Sequence, residues 1–147
     1  MKDRYLFKAK RIDNGEWVQG VPFEIEGKTI ILIKDNENLL RTHYLEENMW
    51  TAEIYVIEVD PSTICRCTGL KDKNGKLIWE NDIVRDKHGN FYKAFWQNNY
   101  YQFSWICVKS DVFLIGAEWS LFCFKSFEIE VIGNIFDNPE LLKSESY

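Results

Sequence analysis

Short runs of β-branched and aromatic residues alternate with glycine- and asparagine-containing turns along the 147-residue chain, and this alternation constrains the fold most strongly. Residues 29–34 (TIILIK) and 54–59 (IYVIEV) are examples of such runs. These side chains favour strands, and Asn-Gly pairs between strands favour hairpin turns. Short strands at intervals of about ten residues are typical of a small barrel or sandwich. The sequence therefore predicts a mostly β protein with one or two short helices.

Two Asn-Gly pairs, Asn14-Gly15 and Asn74-Gly75, mark the most specific turns in the sequence. A type I′ hairpin turn requires positive φ at both central residues, and Asn followed by Gly meets this requirement best. We therefore expect a type I′ hairpin at Asn14-Gly15 and a second turn at Asn74-Gly75. His88-Gly89-Asn90 predicts a third turn, and residues 112–115 and 118–125 are expected to be strands of the same meander.

Pro61 marks the expected division of the chain. Proline has no backbone N–H to donate to a sheet, so the chain should leave the N-terminal sheet here. The sequence predicts an N-terminal β unit of residues 1–60 and a C-terminal β-barrel-like unit of residues 61–147, packed as one compact chain. Residues 44–48 are one candidate for a short helix. Pro139, preceded by a capping Asp137 or Asn138, predicts a helical tail.

The formal net charge of −5 argues against a general nucleic-acid-coating protein, because such proteins carry strongly positive surfaces. Residues 61–97 are an exception, with seven Lys or Arg against four Asp or Glu. The sequence starts without an apolar leader segment, and no window approaches the roughly 18 apolar residues of a membrane span. We expect a cytoplasmic protein that does not enter a membrane.

The four cysteines, Cys65, Cys67, Cys107 and Cys123, are expected to be reduced thiols. Zinc sites favour paired cysteines with two or more intervening residues, whereas one residue separates Cys65 from Cys67. On a strand both of these side chains point to the same face. We therefore expect buried core thiols, no metal and no cofactor.

No catalytic residues are predicted. His43 and His88 have no Cys or Ser partner in a known motif order. Glu80 and Asp82 are close in sequence, but the lysines near them favour solvated ion pairs over acid–base chemistry. The sequence therefore predicts a protein that is not an enzyme.

Basic and aromatic side chains alternate around two predicted hairpins that span residues 66–88. Cations and exposed rings on a small β-barrel are a common arrangement for holding single-stranded nucleic acid. Nucleic acid is the alternative partner rather than the favoured one, because the chain as a whole is acidic. The candidate binding patch consists of Arg66, Lys71, Lys73, Lys76, Arg85, Lys87, Trp79 and Trp96.

The chain has six Trp, seven Tyr and ten Phe, more large rings than one small core usually holds. In an alternating strand, Trp119 and Phe122 lie on opposite faces, so residues 118–125 would have two apolar faces. Such a strand indicates a doubly buried position or a subunit interface, and we expect a homo-oligomer. The candidate oligomer interface consists of Tyr100, Tyr101, Trp119, Phe122 and Phe124.

Three segments carry a resemblance to a known family. Residues 15–20 follow G-x-W-x-x-G, residues 65–84 contain TGLKDKNGK and DIV, and residues 131–142 contain VIGNI and NPELL. In this order they resemble the YopX family of phages and prophages over nearly the whole chain. The resemblance implies a small phage or prophage protein with an SH3-like barrel in its C-terminal part, and it implies no activity. Asn81 stands where the family usually has Gly, and Asn tolerates the left-handed conformation better than other non-glycine residues.

These observations favour a non-enzymatic, YopX-like accessory protein that acts by self-association and by binding a protein partner from the host or the phage. The first alternative is a nucleic-acid-binding regulator that uses the basic hairpins at residues 66–88. The second and weaker alternative is a hydrolase.

Overall fold

Antiparallel strands make up most of the computed structural model, which describes residues 5–33, 40–46, 49–54 and 56–143. These ranges contain thirteen strands and four short 3-10 helices, and none of their residues is in an α-helix. The prediction of a mostly β protein with few helices is therefore confirmed. The chain divides into two compact units, Tyr5–Cys65 and, within the described ranges, residues 66–143. The sequence placed the boundary after residue 60, whereas this division follows Cys65.

The first unit is built on an antiparallel sheet with the strand order β6-β3-β2-β1, and β4 pairs with β5. Ala9, Ile31 and Val59 are fully buried in its core. A bridge between Arg11 and Val59 brings the chain after β6 back to the end of β1. The elements are β1 (Phe7–Lys10), β2 (Trp17–Ile25), β3 (Lys28–Ile33), β4 (Leu40–Glu46), β5 (Met49–Ile54), β6 (Val56–Glu58) and η1 (Pro61–Thr63).

The candidate helix at residues 44–48 is wrong in its described part. Residues 44–46 lie in β4, where Tyr44 is opposite Trp50 of β5, and residues 47 and 48 lie outside the described ranges. The segment has no apolar stripe at helical spacing, so a helix there would have no face to bury. Pairing with β5 satisfies its backbone instead.

Hairpins form at both Asn-Gly pairs, but the type I′ geometry predicted for Asn14-Gly15 is wrong. Gly15 and Gly75 have φ of 71° and 79°, whereas neither Asn14 nor Asn74 has positive φ. In the second hairpin Asp72 N donates to Lys76 O at 2.8 Å and Gly75 N donates to Asp72 O at 3.0 Å. The loop therefore has three residues with a single left-handed position at its end, a common alternative to the two-residue turn.

The second unit contains an open antiparallel sheet with the order β12-β11-β10-β9-β13. Because β12 and β13 are the two edges of this sheet, the barrel predicted for the C-terminal part is not closed among the described strands. The strands are β7 (Cys65–Lys71), β8 (Leu77–Trp79), β9 (Asp82–Asp86), β10 (Phe91–Gln97), β11 (Gln102–Lys109), β12 (Glu118–Ser120) and β13 (Ile129–Asn134). The helices are η2 (Leu121–Cys123), η3 (Ser126–Glu128) and η4 (Pro139–Leu142).

One face of this sheet carries the main hydrophobic core. Trp105 and Tyr92 are its largest buried side chains, and Trp105 Nε1 donates to Leu121 O at 3.2 Å. This bond holds η2 against the sheet and satisfies the indole N–H. The buried members of the core are Ile78, Val84, Tyr92, Ala94, Trp105, Cys107, Leu121 and Ile129.

The side chain of Asp72 gives the Asp-Lys-Asn-Gly motif of residues 72–75 its structural role. Its Oδ1 accepts from the backbone N of Asn74 at 2.8 Å and of Lys76 at 2.9 Å. Its Oδ2 accepts from Val131 N at 3.0 Å, so the same carboxyl group ties the loop to β13. The buried side chain of Asp72 therefore shapes its own turn and fills part of the open edge of β13.

The closing motif is also held by specific backbone geometry. Asn81 has a φ of 68°, the left-handed conformation expected where Asn replaces the family's usual Gly. Its carbonyl oxygen accepts from Ile135 N at 3.1 Å. At Gly133 the register shifts, and a Cβ there would lie 2.4 Å from Asn138 Oδ1. Gly133 therefore lies at a bulge, where a side chain would collide with Asn138. The predicted helical tail is present as η4, with Asn138 at its N-cap position.

Candidate interaction surface

A run of four exposed apolar residues forms the loop between β11 and β12. Val112 and Leu114 are 80% and 82% exposed, and Phe113 and Ile115 are partly exposed. We call residues 112–115 the apolar loop. The sequence predicted a strand here, and that prediction is wrong, because none of these residues is in a strand. Contiguous exposed apolar residues are uncommon on the surface of a monomer and mark interaction sites.

Hydrogen bonds brace both ends of the apolar loop. Ser110 Oγ accepts from the backbone N of Val112 at 3.0 Å and of Phe113 at 2.9 Å. At the other end of the loop, Gly116 N donates to Cys107 O at 2.9 Å. A loop that is already ordered has less conformational entropy to lose when it binds a partner.

The anchor of the apolar loop extends into the β9–β10 turn. Ser110 Oγ donates to Asn90 Oδ1 at 2.7 Å, and Asn90 Nδ2 donates to Asp86 Oδ2 at 2.9 Å. Tyr92 OH donates to the same Asp86 oxygen at 3.1 Å. Asp86 Oδ1 accepts from the backbone N of His88 at 2.8 Å and of Asn90 at 3.0 Å. Asp86 therefore repeats the role of Asp72 and also connects the turn to the apolar loop.

The electrostatics of this network follow from partial burial and hydrogen bonding. Burial acts to raise the pKa of Asp86, but the bonds from Asn90, His88 N and Tyr92 outweigh it and hold the pKa below its ordinary value. Burial, followed by the nearby Asp86 charge, raises the pKa of Tyr92. Burial likewise raises the pKa of the Cys107 thiol. The carboxylate form of Asp86 and the neutral forms of Tyr92 and Cys107 are therefore favoured at neutral pH.

An apolar cleft of about 330 Å³ lies beside the apolar loop. The Tyr92 ring centroid is 5.5 Å from that of Trp119 and 4.7 Å from that of Phe124, and the Phe113 and Trp119 centroids are 5.3 Å apart. Phe113 therefore belongs both to the apolar loop and to the wall of the apolar cleft. The other lining residues are Asp86, Lys87, His88, Cys123 and Glu128.

The structure divides the predicted oligomer interface into exposed and packed residues. Phe122 is 86% exposed, whereas Trp119 and Phe124 are partly buried in the walls of the apolar cleft. The predicted strand at residues 118–125 is wrong after Ser120, since the chain turns into η2 and buries Leu121. Tyr100 and Tyr101 are exposed in the β10–β11 turn, at the opposite end of β11 from the apolar loop.

The structure also separates the members of the predicted basic patch. Trp79 is only 4% exposed, so its ring lies in the interior and offers no face for stacking. Trp96 is partly buried beneath Arg66, whose guanidinium carbon lies 5.0 Å from the ring centroid. The remaining members, all of them exposed cations, are Lys71, Lys73, Lys76, Arg85 and Lys87.

Two of these cations are paired with one carboxylate. Glu130 Oε2 lies 2.9 Å from Lys73 Nζ and 3.1 Å from Arg85 Nη2. The bond from Lys73, followed by that from Arg85, lowers the pKa of Glu130. Lys73, Arg85 and Lys87 line a polar cleft of about 430 Å³ together with the carboxylates Asp86, Glu128 and Glu130. The charges in the polar cleft therefore balance, which disfavours a polyanionic ligand there.

Cys65 and Cys67 are buried as predicted for core thiols, Cys107 is buried as well, and Cys123 is exposed. Asp82 Oδ2 accepts from Trp79 N at 2.9 Å, so this carboxylate closes a turn. In the described ranges no three His, Cys, Asp or Glu residues are grouped to hold a metal, and no helix is long and apolar enough to cross a membrane. His43 lies in β4.

Sequence reasoning missed the apolar loop for a definable reason. Residues 112–115 have the composition of a strand, but Ser110-Asp111 and Gly116 flank them directly. Those flanks are turn-forming residues on both sides of a run only four residues long, and this was the available signal for a loop.

Comparison with known proteins agrees with this fold. The family model described as "YopX protein" matches residues 6–143. The crystal structure of protein EF1440 from Enterococcus faecalis is similar, with a TM-score of 0.59 and 22% sequence identity over 93% of this chain and 96% of that chain. The search of curated proteins gives no match. The family match covers nearly all of the chain, and we conclude that the protein belongs to the YopX family.

Proposed function

We propose that the protein is a phage or prophage accessory protein that acts by binding rather than by catalysis, through self-association and through docking of a protein partner in the host cytoplasm. One observation carries this proposal: an ordered loop exposes Val112 and Leu114 beside an apolar cleft. Contact between these apolar side chains and water is unfavourable because of the hydrophobic effect. Burial against another protein surface removes that contact.

The chemistry of the surface favours a protein as the ligand. The rings of Tyr92, Phe113, Trp119 and Phe124 line the apolar cleft, and aromatic side chains are enriched in the centres of protein interfaces. Val112 and Leu114 of the apolar loop are exposed to solvent outside the cleft, which suits a partner surface better than a small molecule. The finer assignment of the second unit to the SH3-like class stays a prediction.

Replacing Leu114 with Asp tests the proposal. Because Leu114 is 82% exposed, the substitution should leave the fold intact, as circular dichroism can verify, and it should weaken self-association by about tenfold or more in sedimentation equilibrium. Ile12→Asp is the matched control, since Ile12 is a 59% exposed apolar residue in a hairpin loop of the first unit. Equal behaviour of the two variants would contradict a role for the apolar loop.

The nucleic-acid alternative is favoured by one observation, the group of exposed cations on the hairpins, which includes Lys71, Lys73 and Lys76. If the hairpins bind single strands, replacing Lys71, Lys73 and Lys76 by Gln together should reduce the salt dependence of binding. Fluorescence anisotropy with a labelled oligonucleotide measures this. Absence of binding at low ionic strength would exclude the alternative.

A further inference from the structure

The apolar loop and the apolar cleft form a projection and a recess on one continuous surface. Leu114 projects into solvent, and its neighbour Phe113 forms part of the cleft wall by packing on Trp119 at 5.3 Å between centroids. A cleft of about 330 Å³ is large enough to take a branched aliphatic side chain. The surface therefore carries both halves of a hydrophobic contact.

A projection and a recess on the same surface suit one arrangement in particular. In an interface with twofold symmetry each copy presents the same patch, so a projection on one copy meets the recess of the other and the reverse contact forms at once. If the two features were on unrelated surfaces, the same contact would join molecules head to tail into a ring or an open chain. Their continuity through Phe113 fits closure into a dimer.

The charges at the edge of this surface are also complementary between the loop and the cleft. Asp111 precedes the apolar loop and is exposed, and Lys87 lines the apolar cleft and is exposed. The cleft carboxylates are already used within the chain. Asp86 accepts the bonds from Asn90 and Tyr92, and Glu128 Oε2 accepts from Lys125 N at 2.8 Å.

We infer that two copies of this chain associate about a twofold axis, with the apolar loop of each copy against the apolar cleft of the other and Asp111 of each copy facing Lys87 of the other. This inference rests on the proposed function and names its partner at this surface, a second copy. A charged pair at the rim adds specificity of alignment, and the apolar contact supplies most of the affinity.

Charge reversal tests the pairing. Asp111→Lys and Lys87→Asp should each raise the dimer dissociation constant by about fivefold to tenfold, because each places like charges opposite each other twice. The double variant should return to within about threefold of the wild type. Sedimentation equilibrium measures all four proteins. The neutral pair Asp111→Asn and Lys87→Gln provides a second, milder series if a reversed variant does not fold.

Control variants separate the pairing from a general effect of net charge. Glu24→Lys and Lys71→Asp change the charge by the same amounts at exposed residues that neither belong to the apolar loop nor line the apolar cleft, and they should leave the dissociation constant unchanged. If the double variant stays as weak as the singles while Leu114→Asp still dissociates the protein, the twofold arrangement is overturned and the proposed function stands. If the wild type is monomeric at every concentration, both the arrangement and self-association are overturned.

Discussion

At the scale of single residues, buried or partly buried carboxylates decide the shape of the turns. Asp72 and Asp86 each accept two backbone N–H groups of the loop that follows, and each then makes a further bond to another part of the second unit. The sequence pointed to the turns through their glycines. It could not reveal the second function of the carboxylates, because Val131 and Tyr92 reach them only in the folded chain.

Replacing Asp86 with Asn should make this function visible through pH. The folded-state pKa of Asp86 is lowered, so its contribution to stability is present above the unfolded pKa near about 4 and is lost as pH falls through the folded value. At pH 7 the variant should lose about 1–3 kcal/mol of unfolding free energy, since it loses bonds to a charged acceptor. Urea unfolding at pH 7 and pH 2.5 measures the difference, which should shrink at the lower pH. A difference that is the same at both values would contradict the assignment.

At the scale of elements, close backbone approach explains where glycine is indispensable. A Cβ on Gly20 of β2 would lie 1.8 Å from Leu32 O of the neighbouring β3, and that oxygen belongs to the backbone and cannot rotate away. Gly15 has a φ of 71°, but a Cβ there would have nothing within 4 Å. Both glycines belong to the G-x-W-x-x-G motif, but Gly20 is required by the close approach of a neighbouring strand and Gly15 by its positive φ.

Replacing Gly20 and Gly15 with alanine, one at a time, should separate the effect of close approach from the effect of positive φ. Gly20→Ala requires β2 and β3 to move apart and should cost more than about 3 kcal/mol or prevent folding. Gly15→Ala adds only the cost of a left-handed conformation, about 1–2 kcal/mol. Thermal unfolding followed by circular dichroism compares the two proteins. A Gly20→Ala protein that is as stable as Gly15→Ala would show that the strands can accommodate the methyl group.

Strand pairing in the two sheets was predictable to different degrees. Alternation and turn residues identified most strands and the helical tail at Pro139, because those signals are local. The open order β12-β11-β10-β9-β13 was not predictable, since it depends on β13 returning to pair with β9. The end of β12 at Ser120 was also hidden, because η2 forms when Leu121 and Trp105 meet across the core.

At the scale of the whole molecule, the surplus of aromatic residues is divided between a core and a surface. Trp105 and Tyr92 fill the interior of the second unit, and Trp119 and Phe124 line the apolar cleft. The expectation that some rings lie outside the core was correct for Tyr100, Tyr101 and Phe122. The position of the apolar loop was not predictable from composition, because it depends on the hydrogen bond between Ser110 and Asn90, which meet only in the folded chain.

The central claim is that the apolar loop and the apolar cleft mediate association. Amide hydrogen exchange at several protein concentrations tests it most directly. As the concentration rises through the dissociation constant, exchange should slow at residues 111–116 and 121–128, because these segments become buried between copies. Exchange in the β10–β11 turn and in the first unit should stay unchanged. Exchange independent of concentration throughout, or slowing confined to Tyr100 and Tyr101, would contradict the claim.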